Sequence, residues 1–319
     1  MRYLLAAAAL LFAFPALAYP DRPVTLIAPF SAGGDSDLSA RNLAPVAQAL
    51  LKQPVVVINK PGGSGGMGSQ QVKEAAPDGY TLLVARVASH AVLAALKPAL
   101  SYKWNDFTFI GLLDLNPVVC VVNADSPYRT LDDLKRTLAA QPHKLNYSSS
   151  GIGTILHLGA QLLLQAFNLP SDAAAHVPYK GGGEAALAVL SKEVEFSCLN
   201  FPSAVGLIQG QRVRALAVMM PERLKDIPDV PTAREAGYPQ LEAIVGWSAL
   251  LGPPKMDRDA LAKWVETLGA VRRDPAWIAA EQRIGSIPRI LSPQDTETFM
   301  GSQFGTYQQL ARQLKLELN

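Results

Sequence analysis

The chain has 319 residues, nearly half of them apolar, with 29 basic against 27 acidic side chains and a formal net charge of +2. That balance argues against nucleic acid, which selects a strongly basic face, and the length allows two domains of ordinary size. Cys120 and Cys198 are the only cysteines, too few for a disulfide-stapled scaffold.

The N-terminus has the pattern of an export signal. Met1-Arg2 supplies a positive charge, Tyr3 to Phe14 is apolar throughout, and Ala16-Leu17-Ala18 has the small-x-small form that signal peptidase cuts after. Cleavage after Ala18 is expected, leaving a mature chain that starts at Tyr19 in the periplasm. At about a dozen residues the apolar stretch is too short for an ordinary membrane span; an uncleaved anchor is the alternative.

Val24 to Phe30 then reads as a strand, Ser31 to Asp37 as a loop carrying Gly33-Gly34, and a helix is expected from near Leu38, kinked or restarted at Pro45. The strand Val55 to Ile58 leads into the turn Asn59 to Gly68 and a helix around Gln70 to Ala76. Pro77-Asp78-Gly79 turns the chain into the strand Tyr80 to Val84. Val118 to Val122 is a further strand, and Thr130-Leu131-Asp132-Asp133 starts a helix with a threonine cap and an acidic first turn. Leu145-Asn146-Tyr147 leads into the loop Ser148 to Thr154 and a helix from Ile155 to Phe167. His176 to Tyr179, Lys180 to Gly183 and a helix from Glu184 to Leu190 repeat the plan. Leu261, Trp264, Val265, Leu268 and Val271 recur at helical spacing as one buried face. Ser292-Pro293 starts a last helix, with Phe299, Tyr307, Leu310 and Leu314 on about one side. The alternation is that of an α/β protein with largely parallel sheets. Cys120 and Cys198 sit in apolar strand-like runs, Val118 to Val122 and Val194 to Leu199. They read as buried free thiols, with a single bridge as the alternative.

Two well-known patterns overlap in Gly62-Gly63-Ser64-Gly65-Gly66-Met67-Gly68. Gly62, Ser64 and Gly66 match a hydrolase nucleophile elbow, and Gly63, Gly65 and Gly68 match a dinucleotide fingerprint. The acidic residue that should hold a ribose is missing, because Val84-Ala85-Arg86-Val87 stands at the end of the next strand. A structural loop that packs a helix on a sheet is the simpler reading. No cofactor and no metal are expected.

A stronger pair is formed by the loops Ser31 to Asp37 and Ser148 to Thr154, each opening a helix. Helix N-termini carry bare N–H groups and partial positive charge, so two of them facing one another would seat an anion. Hydrogen bonds to a charged acceptor contribute about 1.5–3 kcal/mol each, so three or four suffice for roughly micromolar binding. Ordinary capping by Asp37 and Thr154 is the competing explanation.

The sequence also resembles a known family. The start Tyr19-Pro20-Asp21-Arg22-Pro23, the loop Pro29-Phe30-Ser31-Ala32-Gly33-Gly34 with Asp37, and Asn59-Lys60-Pro61-Gly62 are similar to the Bug family, the substrate-binding proteins of tripartite tricarboxylate transporters. Pro77 to Leu83, Leu145-Asn146-Tyr147 with Ser149-Ser150-Gly151, Val177 to Gly181, and Pro228 to Thr232 with Glu235-Ala236-Gly237 match too, in order along the whole mature chain. The resemblance implies a two-lobed periplasmic binding fold of the type II class with a hinge of two crossings, closing on a small carboxylate. It puts Phe30, Ala32, Gly33 and Gly34 on one wall of the cleft, with Asp37 ordering that loop. Ser149, Ser150, Gly153 and Thr154 take the other wall. Ser89-His90, Tyr179-Lys180 and Asn200 shape the distal end. His157, in the first turn of a helix, is expected to pack or cap.

Two departures bear on the ligand. Leu199-Asn200 replaces an Asp-Asn pair, and Arg86 stands where small residues are usual, pointing either inward as a cation for a second carboxylate or outward into solvent. A mono- or dicarboxylate without a required amino group is therefore expected. The division expected is residues 19–122 with 243–319 as one lobe and 123–242 as the other, with crossings near Val121-Val122-Asn123 and after Leu216-Ala217-Val218. The expected protein is a monomeric solute receptor with a membrane permease as possible partner. A receptor read by a membrane histidine kinase and an exported hydrolase using Ser64 are the alternatives.

Overall fold

The structure is a computed structural model that describes residues 19–313. The expected export signal and Leu314 lie outside the described residues.

The chain first builds one sheet from β1 (Val24–Ala28), β2 (Val55–Asn59), β3 (Thr81–Arg86) and β4 (Thr108–Asn116), with α1 (Asp35–Leu51), α2 (Gly66–Lys73) and the short α3 (Leu93–Leu96) between them. After Pro117 it builds a second sheet from β5 (Val118–Asn123), β6 (Leu145–Ser149), β7 (Ala174–Pro178), β8 (Phe196–Asn200) and β9 (Val213–Val218). Helices α4 (Leu131–Ala140), α5 (Ile155–Ala166), α6 (Gly182–Leu190) and α7 (Phe201–Gln209) connect those strands. The chain then returns with β10 (Gly246–Gly252), α8 (Arg258–Val271), α9 (Pro275–Arg283), β11 (Ile287–Pro288) and α10 (Pro293–Gln313).

The strand orders are β11-β4-β10-β3-β1-β2 and β7-β6-β8-β5-β9. The sheets share one plan. A parallel trio, β2-β1-β3 or β7-β6-β8, is followed by an antiparallel strand, β10 or β5. Both sheets are thus mixed, which corrects the expectation of largely parallel ones. Parallel pairing needs a long crossover, usually a helix. The chain passes from β4 to β5 through Pro117 alone and enters the second sheet against the direction of β8. The switch between sheets also falls earlier than the expected boundary after Val122, because all of Val118–Asn123 pairs within the second sheet.

Strands β5, β8 and β10 are buried along their whole length; β5 reads as a continuous apolar run from Val118 to Val122, whereas β8 and β10 also bury Ser197, Asn200 and Ser248. Trp264, Leu268 and Val271 of α8 form a buried face, worth about 2–3 kcal/mol per large side chain, while Leu261 and Val265, expected on the same face, are half-buried. Trp264 Nε1 donates to the Tyr19 hydroxyl at 2.6 Å, which donates to the Gly79 carbonyl at 2.6 Å. Thr130 and Asp133 form a reciprocal capping box on α4.

Cys120 and Cys198 are register partners across β5 and β8 and form a disulfide, so the free-thiol reading is corrected. That pairing depends on which strands become neighbours, which the two local runs do not encode. Helix α1 begins at Asp35, earlier than near Leu38, and continues through Pro45 to Leu51. The early start places Gly34 at the N-cap and brings Asp35 and Ser36 into the first turn.

Candidate functional site

The C-terminal ends of the parallel strands and the loops after them bring the two sheets together. Ser31 N–H donates to the Lys180 carbonyl at 3.2 Å, and Ser64 Oγ donates to the Ile152 carbonyl at 2.5 Å. Gly34, at the N-cap of α1, lies against α6, and a Cβ there would sit 3.5 Å from the Gly182 nitrogen. The first loop therefore faces Lys180 to Gly183 directly, while Ser148 to Thr154 is faced by Ser64. This corrects the expected opposition of the first two loops. They do reach one shared cavity, lined by Phe30, Asp35, Ser36, Arg86, Ser150 and Asn200 with the start of α5. The space open to a water centre is about 10 Å³, close to what one water needs. The lobes are closed on one another.

Arg86, the last residue of β3, points inward and is buried. Its guanidinium lies between carboxylates: Nη2 is 3.2 Å from Asp35 Oδ2 and Nη1 is 3.8 Å from Asp114 Oδ1. Nη1 also donates to Ser248 Oγ at 2.5 Å, and Ser248 donates on to Asp114 at 2.8 Å. Ser39 donates to the other Asp114 oxygen at 2.7 Å. Burial raises the Asp114 pKa against the opposing pull of Arg86. Nearby Glu281 is pushed up to about 8 by burial and by the Asp114 charge. Arg86 is thus a paired cation on the cavity wall, not a free one.

Of the other expected residues, Phe30, Ser150 and Asn200 line the cavity, Asn200 Nδ2 donating to Asp35 Oδ2 at 2.6 Å. Gly34 is buried at the contact between lobes, whereas Ala32 and Gly33 face outward. Asp37 accepts from Gly33 N–H at 3.0 Å and pairs with Arg41 at 2.9 Å, which orders the loop. Burial raises its pKa, but Arg41 and the Gly33 N–H outweigh burial and hold it below the ordinary value.

Ser89 and His90 do not reach the cavity. They lie in the π-helical turn Ala88–Val92, and the His90 ring packs on Tyr102 and Phe107. Burial pushes His90 down to about 3. The turn carries Val87 and Ala88 to the cavity in their place. Tyr179 is half-buried and Lys180 exposed, and neither lines the cavity; Lys180 acts through its backbone carbonyl.

Ser149, Gly153 and Thr154 shape the second loop from within. Ser149 Oγ lies 2.6 Å from His176 Nε2 and accepts from Gly151 N–H at 3.1 Å. Thr154 caps α5, and Gly153 N–H donates to His157 Nδ1 at 3.2 Å. His157 stacks on His176, with centroids 4.4 Å apart, and burial pushes both down to about 4. His157 therefore caps the loop as a neutral ring, as expected. Asp35, Ser36 and Ser203 are the functional candidates missed from sequence. The signal for Asp35 and Ser36 was the polar pair directly after Gly33-Gly34, one turn ahead of the expected helix start; Ser203, in α7, had none.

A family model described as "Tripartite tricarboxylate transporter family receptor" (TctC) matches residues 39–316. Protein BugT of Bordetella pertussis is 31% identical over 303 residues, covering 94% of this chain and 91% of that one. MatC from Rhodopseudomonas palustris, solved with bound malate, superposes with a TM-score of 0.86 at 26% identity, covering 92% of this chain and 99% of that one. A second R. palustris protein, Rpa4515 with adipate, gives 0.89 at 25% identity, covering 94% and 99%. The extent of these matches places the chain in the tripartite tricarboxylate transporter receptor family, to which the Bug proteins belong.

Proposed function

We propose that this chain is a periplasmic solute receptor that captures a small carboxylate between its two lobes for tripartite tricarboxylate-type uptake. The carrying observation is the closed cleft, in which loops from both sheets meet around a small cavity lined in part by Asp35, Ser36, Arg86, Ser150 and Asn200. Malate in MatC and adipate in Rpa4515 support the ligand class. The first turns of α1 and α6, the Ser36 and Ser150 hydroxyls, the Asn200 amide and the Arg86 guanidinium supply the donors. Asp37 and His157 hold the loops that present them. Ligand touching both lobes favours the closed state, which a permease can distinguish from the open one.

The hydrolase alternative finds no support at Ser64. Its Oγ is spent on the Ile152 carbonyl, and among the described residues no histidine is hydrogen-bonded to it. A thermal-shift screen of the mature protein against mono- and dicarboxylates tests the reading, since a ligand of the native state raises the melting temperature. An esterase assay of wild type and Ser64→Ala, expected to give no signal from either, tests the alternative.

A further inference from the structure

We propose that Asp35 is a latch built into the cleft: its carboxylate takes donors a solute carboxylate would use, closes the lobes without ligand, and must be displaced on binding. Asp35 stands in the first turn of α1, buried between the lobes. Oδ2 accepts from Arg86 Nη2 at 3.2 Å, within its own lobe, and from Asn200 Nδ2 at 2.6 Å, from the other. Oδ1 accepts from Ser203 Oγ, also of the other lobe, at 2.6 Å. Among the described residues Asp35 is the only charged side chain hydrogen-bonded across the cleft; the other bridges, Ser31 to Lys180 and Ser64 to Ile152, join neutral groups. Charge-assisted hydrogen bonds are roughly twice as strong as neutral ones, so Asp35 dominates the polar contact.

Space and charge both make the latch a competitor. The cavity beside it holds about 10 Å³, far below the size of a small-molecule site, so a solute enters only after the lobes part and the bonds to Asn200 and Ser203 break. Arg86 already faces two carboxylates, Asp35 and Asp114. A third negative charge is held there only if one of them leaves. Asp114 is fully buried and pinned by Ser39 and Ser248, whereas Asp35 borders the cleft, so Asp35 is the one that yields. A binding-competent state populated only in part weakens apparent affinity by that fraction.

The inference rests on the receptor reading of the cleft, but its first test needs no ligand. Small-angle scattering of ligand-free wild type, Asp35→Ala and Ser203→Ala is expected to give a compact wild type, a larger radius of gyration for Asp35→Ala, and an intermediate one for Ser203→Ala, which leaves the Asp35–Arg86 pair intact. Equal radii for all three proteins overturn the latch. Calorimetry with malate and adipate is expected to show Asp35→Ala binding about tenfold or more tighter than wild type; equal or weaker binding overturns the competition. If neither protein binds either acid, the receptor reading falls, and the scattering comparison still decides the latch.

Discussion

The backbone of Gly34 on one lobe runs so close to Gly182 on the other that a Cβ on Gly34 would lie 3.5 Å from the Gly182 nitrogen and 3.1 Å from the Ser31 carbonyl oxygen. Gly34 has an ordinary negative φ of −83°, so a side chain strains no dihedral; its Cβ is tight only against the Ser31 carbonyl of its own loop and in ordinary contact with Gly182, and it is the further methyls of a larger side chain that meet the other lobe. Gly34→Val is expected to keep its melting temperature within a few degrees of wild type and to lose carboxylate binding by about 100-fold or more, as read by calorimetry. Gly33 behaves differently. A Cβ there meets open space, but its φ of +75° is left-handed, so a substitution strains the backbone without crowding a neighbour. Gly33→Ala should cost about 1 kcal/mol of stability by denaturant titration.

The Cys120–Cys198 bridge closes a loop with a sequence separation of 78 inside the second sheet. In the chain-entropy description a loop of that length is worth about 4.5 kcal/mol. The Cys120→Ala, Cys198→Ala double variant is expected to lose about that much, and wild type in reductant to melt at a correspondingly lower temperature. An unchanged midpoint in reductant, with free thiols verified, would count against a formed bridge.

Glu281 gives the fold an unusual basic-side sensitivity. Its pKa is raised from 4.5 to about 8, chiefly by burial, so between those values the folded chain holds a proton that the unfolded chain has released. Stability from this group is present below about pH 4.5 and is lost as pH rises through about 8. Glu281→Gln is expected to be more stable than wild type at pH 8, by on the order of 1–3 kcal/mol, with the difference shrinking toward pH 5. A difference independent of pH would contradict the assignment.

His157 and His176 act with the opposite sign. Both are lowered from 6.5 to about 4 by burial, so the unfolded chain binds protons there that the fold refuses. Stability is therefore lost as pH falls from about 6.5 to 4. Because neutral His157 Nδ1 accepts the Gly153 N–H, protonation also removes that hydrogen bond, and carboxylate affinity is expected to drop as pH falls through about 4, the folded-state value. Calorimetry at pH values above and below about 4 reads this, and His157→Gln should flatten the dependence.

Much of the fold was legible because its signals are local. The Thr130 capping box, the turn at Pro77-Asp78-Gly79 and the strand–loop–helix units at Val24 and His176 are each set by a few consecutive residues. Strands β4 and β10 went unread because buried polar residues, Asp114 and Ser248, break the apolar run that marks β5, and their direction follows from the chain passing between sheets. At the site, Phe30, Ser150 and Asn200, which the family resemblance assigned to the cleft, line the cavity, whereas Asp35 and Ser36 went unread because the helix was begun too late. Ser89 and His90 were misplaced because the π-helical turn after β3 rotates Val87 and Ala88 toward the cavity instead.

Calorimetric titration of the mature wild-type protein with malate, adipate and aspartate tests the account most directly. Binding of at least one of the simple organic acids at micromolar affinity, lost in Gly34→Val and weakened roughly tenfold or more in Ser150→Ala, is the predicted result. Tight binding of aspartate with none of malate or adipate would contradict it.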